Sequence, residues 1–358
     1  MNKELSIGIN GCSDFSIKLS GCEKELYEAI KYLPLPFYIS DNHDTFFSWS
    51  ISLTIDVLVA DWPTRSRLLG VYRAGIDDPF PWHIEKLTSQ DGIIWLLDEN
   101  NNQRALLHIN RNTRTIELTQ EAANGKWLSR IIKNIFSVVL IDQGWIPLHA
   151  CAFSMGERAI VCTGERGSGK STLSILAASM KGAEFLSDDI VFIRPTDLQF
   201  EWDIIGWPRR VGIRKALLGE IFEKEKLNDI QSKLRREVLA SKMQPRGERL
   251  AFDPDELTDL LGVKFTGYVR KKLRIATIGS GGDDVPEIVW ELSEHCNSIR
   301  ATGEDIRYLV DVFGIFTFGD EMKSDVLDPR DCIIEKTMFK LPYDVPSVFD
   351  HVWPKIIN

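Results

Sequence analysis

Apolar and polar residues alternate along the first third of the chain, which is the pattern of strands with one buried face. Four such runs lie at residues 50–60, 92–98, 104–110 and 114–119. The segments NNNQ and NRNTR between them are rich in turn-forming residues. We therefore expect a meander of antiparallel strands and interpret residues 1–125 as a strand-rich N-terminal domain.

The pattern changes to helical spacing at residues 126–144, KWLSRIIKNIFSVVLIDQG. Its apolar residues fall on one face of a helix, and a glycine ends the run. These apolar positions are Leu128, Ile131, Ile132, Ile135, Val138 and Val139. We expect an amphipathic helix here and place the domain boundary before it, so that residues 126–358 form the second domain.

From residue 145 onward the chain is predicted to run as strand, turn, strand, glycine-rich loop, helix and strand. The strand AIVCTG covers residues 159–164, a helix is expected at about residues 170–181, and FLSDDIVFIR follows at residues 185–194. This order is typical of α/β nucleotide-binding folds. A later segment, residues 214–242, is helix-prone and highly charged, and we interpret its charges as a solvent-exposed face.

The glycine-rich loop matches the phosphate-binding pattern G-x-x-x-x-G-K-[ST]. Glycines allow backbone N–H groups to converge on phosphate oxygens, and the N-terminus of the next helix adds positive potential. Lys170 supplies a cation for the β and γ phosphates, and Ser171 offers an oxygen ligand to Mg²⁺. We therefore expect ATP and Mg²⁺ at Gly164, Glu165, Arg166, Gly167, Ser168, Gly169, Lys170, Ser171 and Thr172, a set that we call the glycine loop.

Two adjacent carboxylates, Asp188 and Asp189, interrupt the apolar segment that follows the helix. Buried carboxylates are costly without a cation, so one could hold Mg²⁺ while the other accepts a proton from a substrate hydroxyl. Neighbours in a strand point to opposite faces, so both reach one site only where the strand ends or bulges. His149, among apolar neighbours, is by itself more typical of a core histidine than of a site residue.

Composition narrows the functional classes. The net charge is -9 and the pI is about 5.3, which argue against general affinity for nucleic acid or anionic membranes. No apolar run is long enough for a membrane span, and no secretory signal is visible at the N-terminus. The cysteines form no CxxC pair, which indicates reduced thiols in a cytoplasmic protein; they lie at positions 12, 22, 151, 162, 296 and 332.

Residues 145–195 resemble the HPr kinase/phosphorylase family, whose catalytic domain is related to phosphoenolpyruvate carboxykinase. In that family a histidine precedes the phosphate loop by one hairpin, and an aspartate pair follows the loop lysine by one helix. Here His149 stands 15 residues before Gly164, and Asp188 stands 18 residues after Lys170. The segment GWPRR, residues 206–210, also resembles the Gly-[aromatic]-Pro stretch of small HPr-kinase-like proteins.

The resemblance implies roles for individual residues. Asp188 would be the base, assisted by His149, and Asp189 would help Ser171 to hold Mg²⁺. Lys170 would bind phosphate. The implied fold class is α/β, with an HPr-kinase/PEP-carboxykinase-like P-loop catalytic domain and a smaller strand-rich N-terminal domain.

The resemblance also bears on the acceptor. The family's ExRGxG signature is not found after the aspartate pair, which argues against HPr itself as the acceptor. The layout resembles stand-alone kinases of peptide-modification clusters, including those that phosphorylate a serine of a lasso-peptide precursor. We expect a Mg-ATP-dependent kinase of a peptide hydroxyl, with the N-terminal domain presenting the acceptor. A small-molecule kinase and a nucleotide-gated binding protein stay open as alternatives, as does a homo-oligomeric state.

Basic residues after the aspartate pair are candidates for stabilising the transferring phosphoryl group. The candidates are Arg209, Arg210 and Arg214, with Arg246 and Arg249 further along the chain. For each of them the alternative of an ordinary surface arginine is favoured, because exposed arginines are common.

Overall fold

A computed structural model describes the chain at residues 2–30, 33, 35–40, 47–54, 68–72, 82–86, 93–98, 103–110, 113–120, 126–164, 168–198, 201–207, 210–224, 249–278, 335–339, 349–350, 353–354 and 357. This part is mixed α/β, rich in strands and with few helices, in agreement with the predicted α/β class. It divides into two compact units, the first ending at Gly144 and the second beginning at Trp145. None of the described helices is both long and apolar enough to cross a membrane.

Nine described strands form the sheet of the first unit. They are β1 (Asn2–Ile9), β2 (Cys12–Cys22), β3 (Phe37–Ser40), β4 (Phe47–Thr54), β5 (Leu68–Tyr72), β6 (Trp82–Lys86), β7 (Ile93–Asp98), β8 (Gln103–Asn110) and β9 (Thr115–Gln120). Their order is β3-β1-β2-β4-β9-β8-β7-β6-β5. Three of the four predicted strands, β7, β8 and β9, form an antiparallel meander as expected, and it continues through β6 and β5, which were not predicted. The fourth predicted strand, β4, is not antiparallel to its neighbours but runs parallel to both β2 and β9. Of the strand predicted at residues 50–60, the part after Thr54 lies outside the described residues.

The hairpin between β1 and β2 was not predicted from the sequence. A two-residue turn, Asn10 and Gly11, joins the strands, and Ile9 pairs with Cys12 across it. Gly11 has a positive φ of 88°, a backbone conformation that glycine adopts without strain. An Asn-Gly pair between two alternating segments is the sequence signal that could have revealed this hairpin.

Two described helices belong to the first unit, α1 (Glu23–Ile30) and α2 (Lys126–Asp142). The predicted apolar face of α2 is buried, and its Phe136 ring packs edge-on against Phe15 and Phe37 at centroid distances of 5.2 and 5.3 Å. Because Phe136 packs against rings of β2 and β3 in the first sheet, the helix is part of the first unit. The domain boundary that we placed before residue 126 therefore moves to the end of α2.

The second unit contains eleven described strands and three described helices. The strands are β10 (Ile146–His149), β11 (Cys151–Met155), β12 (Arg158–Gly164), β13 (Glu184–Ser187), β14 (Ile190–Pro195), β15 (Glu201–Gly206), β16 (Val211–Arg214), β17 (Arg249–Phe252), β18 (Lys264–Phe265), β19 (Tyr268–Ile278) and β20 (Glu335–Phe339). The helices are α3 (Lys170–Lys181), α4 (Lys215–Lys224) and α5 (Pro254–Leu261). Helix α3 has its predicted bounds. Of the predicted charged helix, residues 225–242 lie outside the described residues.

The main sheet of this unit closes on itself. Its order is β10-β14-β15-β19-β12-β11-β13-β18, with β20 beside β19. Strand β13 continues into β14 through Asp188 and Asp189, and β10 continues into β11 through Ala150. These two broken strands run antiparallel, β10 against β14 and β11 against β13. The pair β10–β14 and the pair β11–β13 lie towards opposite ends of the strand order, and the bend at Asp188 and Asp189 joins them.

Alternation along the strands separates two apolar cores. In β12, Ala159 and Val161 join a cluster with residues of β10, β11, β13, β14, β15 and β19, so this cluster fills the inside of the curled sheet. Their neighbours Ile160 and Cys162 face outward and pack in a second cluster with α3, α4 and α5. Helix α3 is thereby held against the outer face, with its N-terminus at the end of β12.

Candidate functional site

The glycine loop connects the end of β12 to the start of α3. Gly164 lies beside Ile278 of β19, and a Cβ atom added at Gly164 would stand 2.3 Å from the Ile278 carbonyl oxygen. Its φ of 144° also disfavours any side chain. Gly164 is thus required by both space and backbone conformation. Glu165, Arg166 and Gly167 lie outside the described residues.

The N-terminus of α3 has the features of an anion site. Gly169 occupies the N-cap position with a φ of 99°, and it provides no side-chain cap for the first turn. The Ser168 hydroxyl oxygen is buried and has no hydrogen-bond partner in the described part of the chain. Exposed N–H groups of a helix N-terminus and an unpartnered hydroxyl are groups that phosphate oxygens can satisfy.

Lys170 begins α3 and is only 7% exposed. Its Nζ atom donates a hydrogen bond of 2.7 Å to the backbone carbonyl of Gly164, which closes the loop upon itself. A lysine at the N-terminus of a helix can supply its ammonium group to a phosphate bound at that end of the helix. The residues present therefore fit a bound nucleotide.

Asp188 and Asp189 occupy a bend between two strands. Strand β13 ends at Ser187 and β14 begins at Ile190, so neither aspartate is held in a regular strand. This removes the geometric objection raised from the sequence, because the alternation of faces stops where the strand stops. The Ser171 hydroxyl of α3 donates to the Asp188 backbone carbonyl at 3.4 Å, so the bend lies against the first turn of the helix.

His149 lies beside the aspartate bend. It ends β10 directly opposite Ile190, and its Nδ1 atom lies 3.6 Å from Oδ1 of Asp189. Both side chains are about a quarter exposed. The resemblance had assigned the imidazole to Asp188, whereas the structure brings it to Asp189. The neighbouring Ala150 amide also donates to the Asp189 backbone carbonyl, at 3.0 Å.

The Gly-Trp pair of the GWPRR segment supports the aspartate bend from the other side. A Cβ atom at Gly206 would lie 2.1 Å from the Leu186 carbonyl oxygen, so glycine alone permits this approach. The Trp207 amide donates to the Ile190 carbonyl at 2.9 Å, and the Trp207 ring is buried against Phe192. The chain beyond β15 is thus anchored at the same bend.

Neither Arg210 nor Arg214 has a described contact with the described residues of the glycine loop. Arg210 is exposed, pairs with Asp253 at 3.1 Å and donates to the Ala251 carbonyl at 2.9 Å, which ties it to the start of α5. Arg214 is exposed at the end of β16. Arg209 lies outside the described residues. The contacts of Arg210 and the exposure of Arg214 agree with the alternative of surface arginines.

No group of three or more His, Cys, Asp or Glu side chains in the described part of the chain is arranged to hold a metal ion. Mg²⁺ generally binds through one or two protein oxygens together with phosphates and waters. Ser171 and the aspartate pair are therefore sufficient in number and in chemical type for Mg²⁺ bound with a nucleotide. No protein-family model matches the chain, and a search of curated proteins finds no match.

Proposed function

We propose that the protein is a Mg-ATP-dependent kinase that transfers the γ-phosphoryl group to a hydroxyl of a peptide or small protein. The observation that carries this proposal is the contact between Ser171 and Asp188. It joins a helix N-terminus suited to phosphate with a pair of carboxylates suited to proton transfer. A phosphoryl-transfer site needs both within reach of one substrate.

The surroundings of the loop support the finer assignment of the fold to the HPr-kinase-like P-loop class. An apolar strand precedes the loop, a helix follows it, and the strand after the helix ends at the aspartates. The histidine of the preceding hairpin lies beside one of these aspartates. These three relationships are the ones that the sequence resemblance implies.

Each residue then has a physical role. Lys170 would leave the Gly164 carbonyl and neutralise charge on the β and γ phosphates. Asp188 would accept the proton of the acceptor hydroxyl, and Asp189, next to His149, would bind Mg²⁺ together with Ser171. Bound Mg²⁺ would supply charge neutralisation at the phosphates. The low dielectric of a partly buried site strengthens each of these interactions.

The location and the acceptor are also proposals. A cytoplasmic location is supported by Cys12, Cys22, Cys151 and Cys162, which are all free thiols. We assign acceptor presentation to the first unit, on the layout of the chain alone. A small-molecule hydroxyl remains the alternative acceptor.

The decisive experiment incubates the protein with ATP and Mg²⁺ and measures candidate acceptors by mass spectrometry. Serine-containing peptides and hydroxylated metabolites are tested beside the variants Lys170→Ala and Asp188→Asn. Lys181→Ala, at the far end of the same helix, is the matched control for loss of a lysine. We expect one phosphoryl group to be added by the wild type and Lys181→Ala, and none by the other two variants.

The outcomes separate the alternatives. Retained ATP binding by Asp188→Asn without transfer supports a base. If Asp189→Asn abolishes transfer while Asp188→Asn retains it, the two aspartates exchange roles. ATP hydrolysis with every acceptor unchanged contradicts the kinase and favours a nucleotide-gated binding protein.

A further inference from the structure

One short segment of chain touches both halves of the candidate site. His149 and Ala150 contact Asp189 through the imidazole and the backbone amide, respectively. The next residue, Cys151, turns to the other half: its Sγ atom donates a hydrogen bond of 3.0 Å to the backbone carbonyl of Lys170. The segment thus links the aspartate bend to the first residue of α3.

Strand alternation explains why the Cys151 thiol reaches the helix. Cys151 and Phe153 of β11 belong to the outer core with α3, whereas Ala152 between them belongs to the inner core. Cys151 is fully buried and lies directly opposite Cys162 of β12. Its position at the end of β11 places it beneath the first turn of α3.

The cross-strand partner, the Cys162 thiol, is held in its neutral, protonated form. The hydrogen bond to Cys151 together with burial holds the pKa of the Cys162 thiol well above its ordinary value, although the charge of Lys170 acts in the opposite direction. A protonated thiol is a hydrogen-bond donor, whereas a thiolate is not. The two thiols therefore form a polar cluster inside the outer apolar core, and Cys151 connects that cluster to α3.

We infer that Cys151 is a positioning residue for Lys170, and that its thiol fixes the first turn of α3 in the orientation needed for phosphate binding. The inference rests on the proposed function. In the regular α-helical pattern the Lys170 carbonyl also accepts a hydrogen bond from the Ser174 amide, so the thiol adds a second restraint at one oxygen. Restraint of the backbone at Lys170 limits the positions that the ammonium group can reach. Residues behind a functional side chain commonly hold it in place in this way.

Three variants test this role. Cys151→Ala removes the donor, Cys151→Ser retains a donor of similar size, and Cys162→Ala is the matched control. Cys162 is equally buried in the same pair, but it makes no hydrogen bond to α3 among the described contacts. The two alanine variants should therefore lose similar packing and differ only in the restraint on Lys170.

The first measurement is the affinity for a fluorescent ATP analogue with Mg²⁺, well below the melting temperature of every variant. We expect Cys151→Ala to weaken binding about threefold to tenfold, the range for one lost hydrogen bond. Cys151→Ser and Cys162→Ala should stay within about twofold of the wild type on the same scale. Equal weakening in both alanine variants would attribute the effect to packing and overturn the inference, and so would a Cys151→Ser variant as weak as Cys151→Ala.

A second measurement separates failure of the inference from failure of the proposed function. Hydrogen exchange at the Leu173 and Ser174 amides is followed without nucleotide, and Lys170→Ala serves as the binding control. If the wild type binds no nucleotide, the proposed function fails; faster exchange in Cys151→Ala alone would then still support the restraint on Lys170. Equal exchange rates in the wild type and both alanine variants would overturn the inferred restraint by Cys151.

Discussion

The Ser171 hydroxyl, in the first turn of α3, donates a hydrogen bond to the Asp188 backbone carbonyl at 3.4 Å. The helix that follows the glycine loop and the bend that carries both aspartates are therefore in direct contact. This contact brings a cationic and an anionic part of the site to one place. The same bend carries Asp189, and the contact between Asp189 and His149 can be tested by mutation.

His149 should matter for phosphoryl transfer and little for folding. The variant His149→Gln is expected to lower the rate of phosphoryl transfer by at least about tenfold. This is less than the ~100-fold to 10,000-fold that a general acid or base typically contributes to a rate. Its melting temperature should change little, because glutamine is similar in size to histidine and keeps a polar group beside Asp189. A double-mutant cycle with Asp189→Asn should show coupling in the transfer rate. Additive effects on the rate would contradict the pairing, and a large loss of stability would indicate a core histidine.

Gly206 should tolerate no side chain, whereas Gly219 should. In Gly206→Ala the new Cβ atom would stand 2.1 Å from the Leu186 carbonyl, so we expect a loss of about 1–3 kcal/mol in unfolding free energy. Gly219 in α4 has open space around it, and Gly219→Ala should stabilise the helix by about 0.5–1 kcal/mol. Urea denaturation of both variants measures the difference. Equal stability of the two would show that the close approach at Gly206 is absent.

Acid should weaken the second unit through Asp203. This carboxylate is 2% exposed and accepts hydrogen bonds from Arg270, Tyr268 and Arg194. Burial by itself would raise the pKa of Asp203, but these hydrogen bonds outweigh it and hold the pKa below its ordinary value. Burial, and in second place the hydrogen bond that the Tyr268 hydroxyl donates to Asp203, raises the pKa of Tyr268 to about 12.

The sign of the pH dependence follows from the lowered pKa. The stabilisation by Asp203 is fully present above the unfolded pKa of about 3.9 and is lost as pH falls through the folded value. Asp203→Asn should therefore cost about 2–4 kcal/mol at pH 7 and progressively less below pH ~4. Unfolding free energies at pH 7 and at several pH values below about 4 test this, with the exposed Asp197→Asn as a control expected to change little. A pH-independent cost in Asp203→Asn would contradict the charged pairing.

Thiol labelling should distinguish the cysteines of the two units. Cys22 is partly exposed, whereas Cys162 is fully buried with a raised pKa, and only a thiolate reacts readily. We expect Cys162 to react at least about a hundredfold more slowly than Cys22, since reaction requires local opening of about 3 kcal/mol. Site-resolved mass spectrometry after timed labelling measures both rates. In denaturant the two cysteines should react at similar rates, which serves as the reference. Similar rates in the native protein would contradict the burial of Cys162 beside Cys151.

Local patterns predicted the elements that depend on neighbouring residues. Helices α2 and α3 and the strand before the glycine loop were predictable because each is set within some twenty residues of sequence. The parallel placement of β4 was not predictable, since its partners β2 and β9 are distant in the chain. The hairpin at Asn10 and Gly11 differs from β4 in that it does carry a local signal, because an Asn-Gly pair between alternating segments is typical of a hairpin turn.

The sequence by itself determined the chemistry of the site: a loop of glycines before a lysine, two adjacent carboxylates and a nearby histidine. These features are contiguous or regularly spaced, and their side chains have the same chemistry in any fold. Only the tertiary structure decided which of them meet. His149 lies beside Asp189, Ser171 beside Asp188 and Cys151 beside Lys170, because two strands break at the same level of a sheet that closes on itself. Such contacts depend on register and packing between distant segments, which no local pattern encodes.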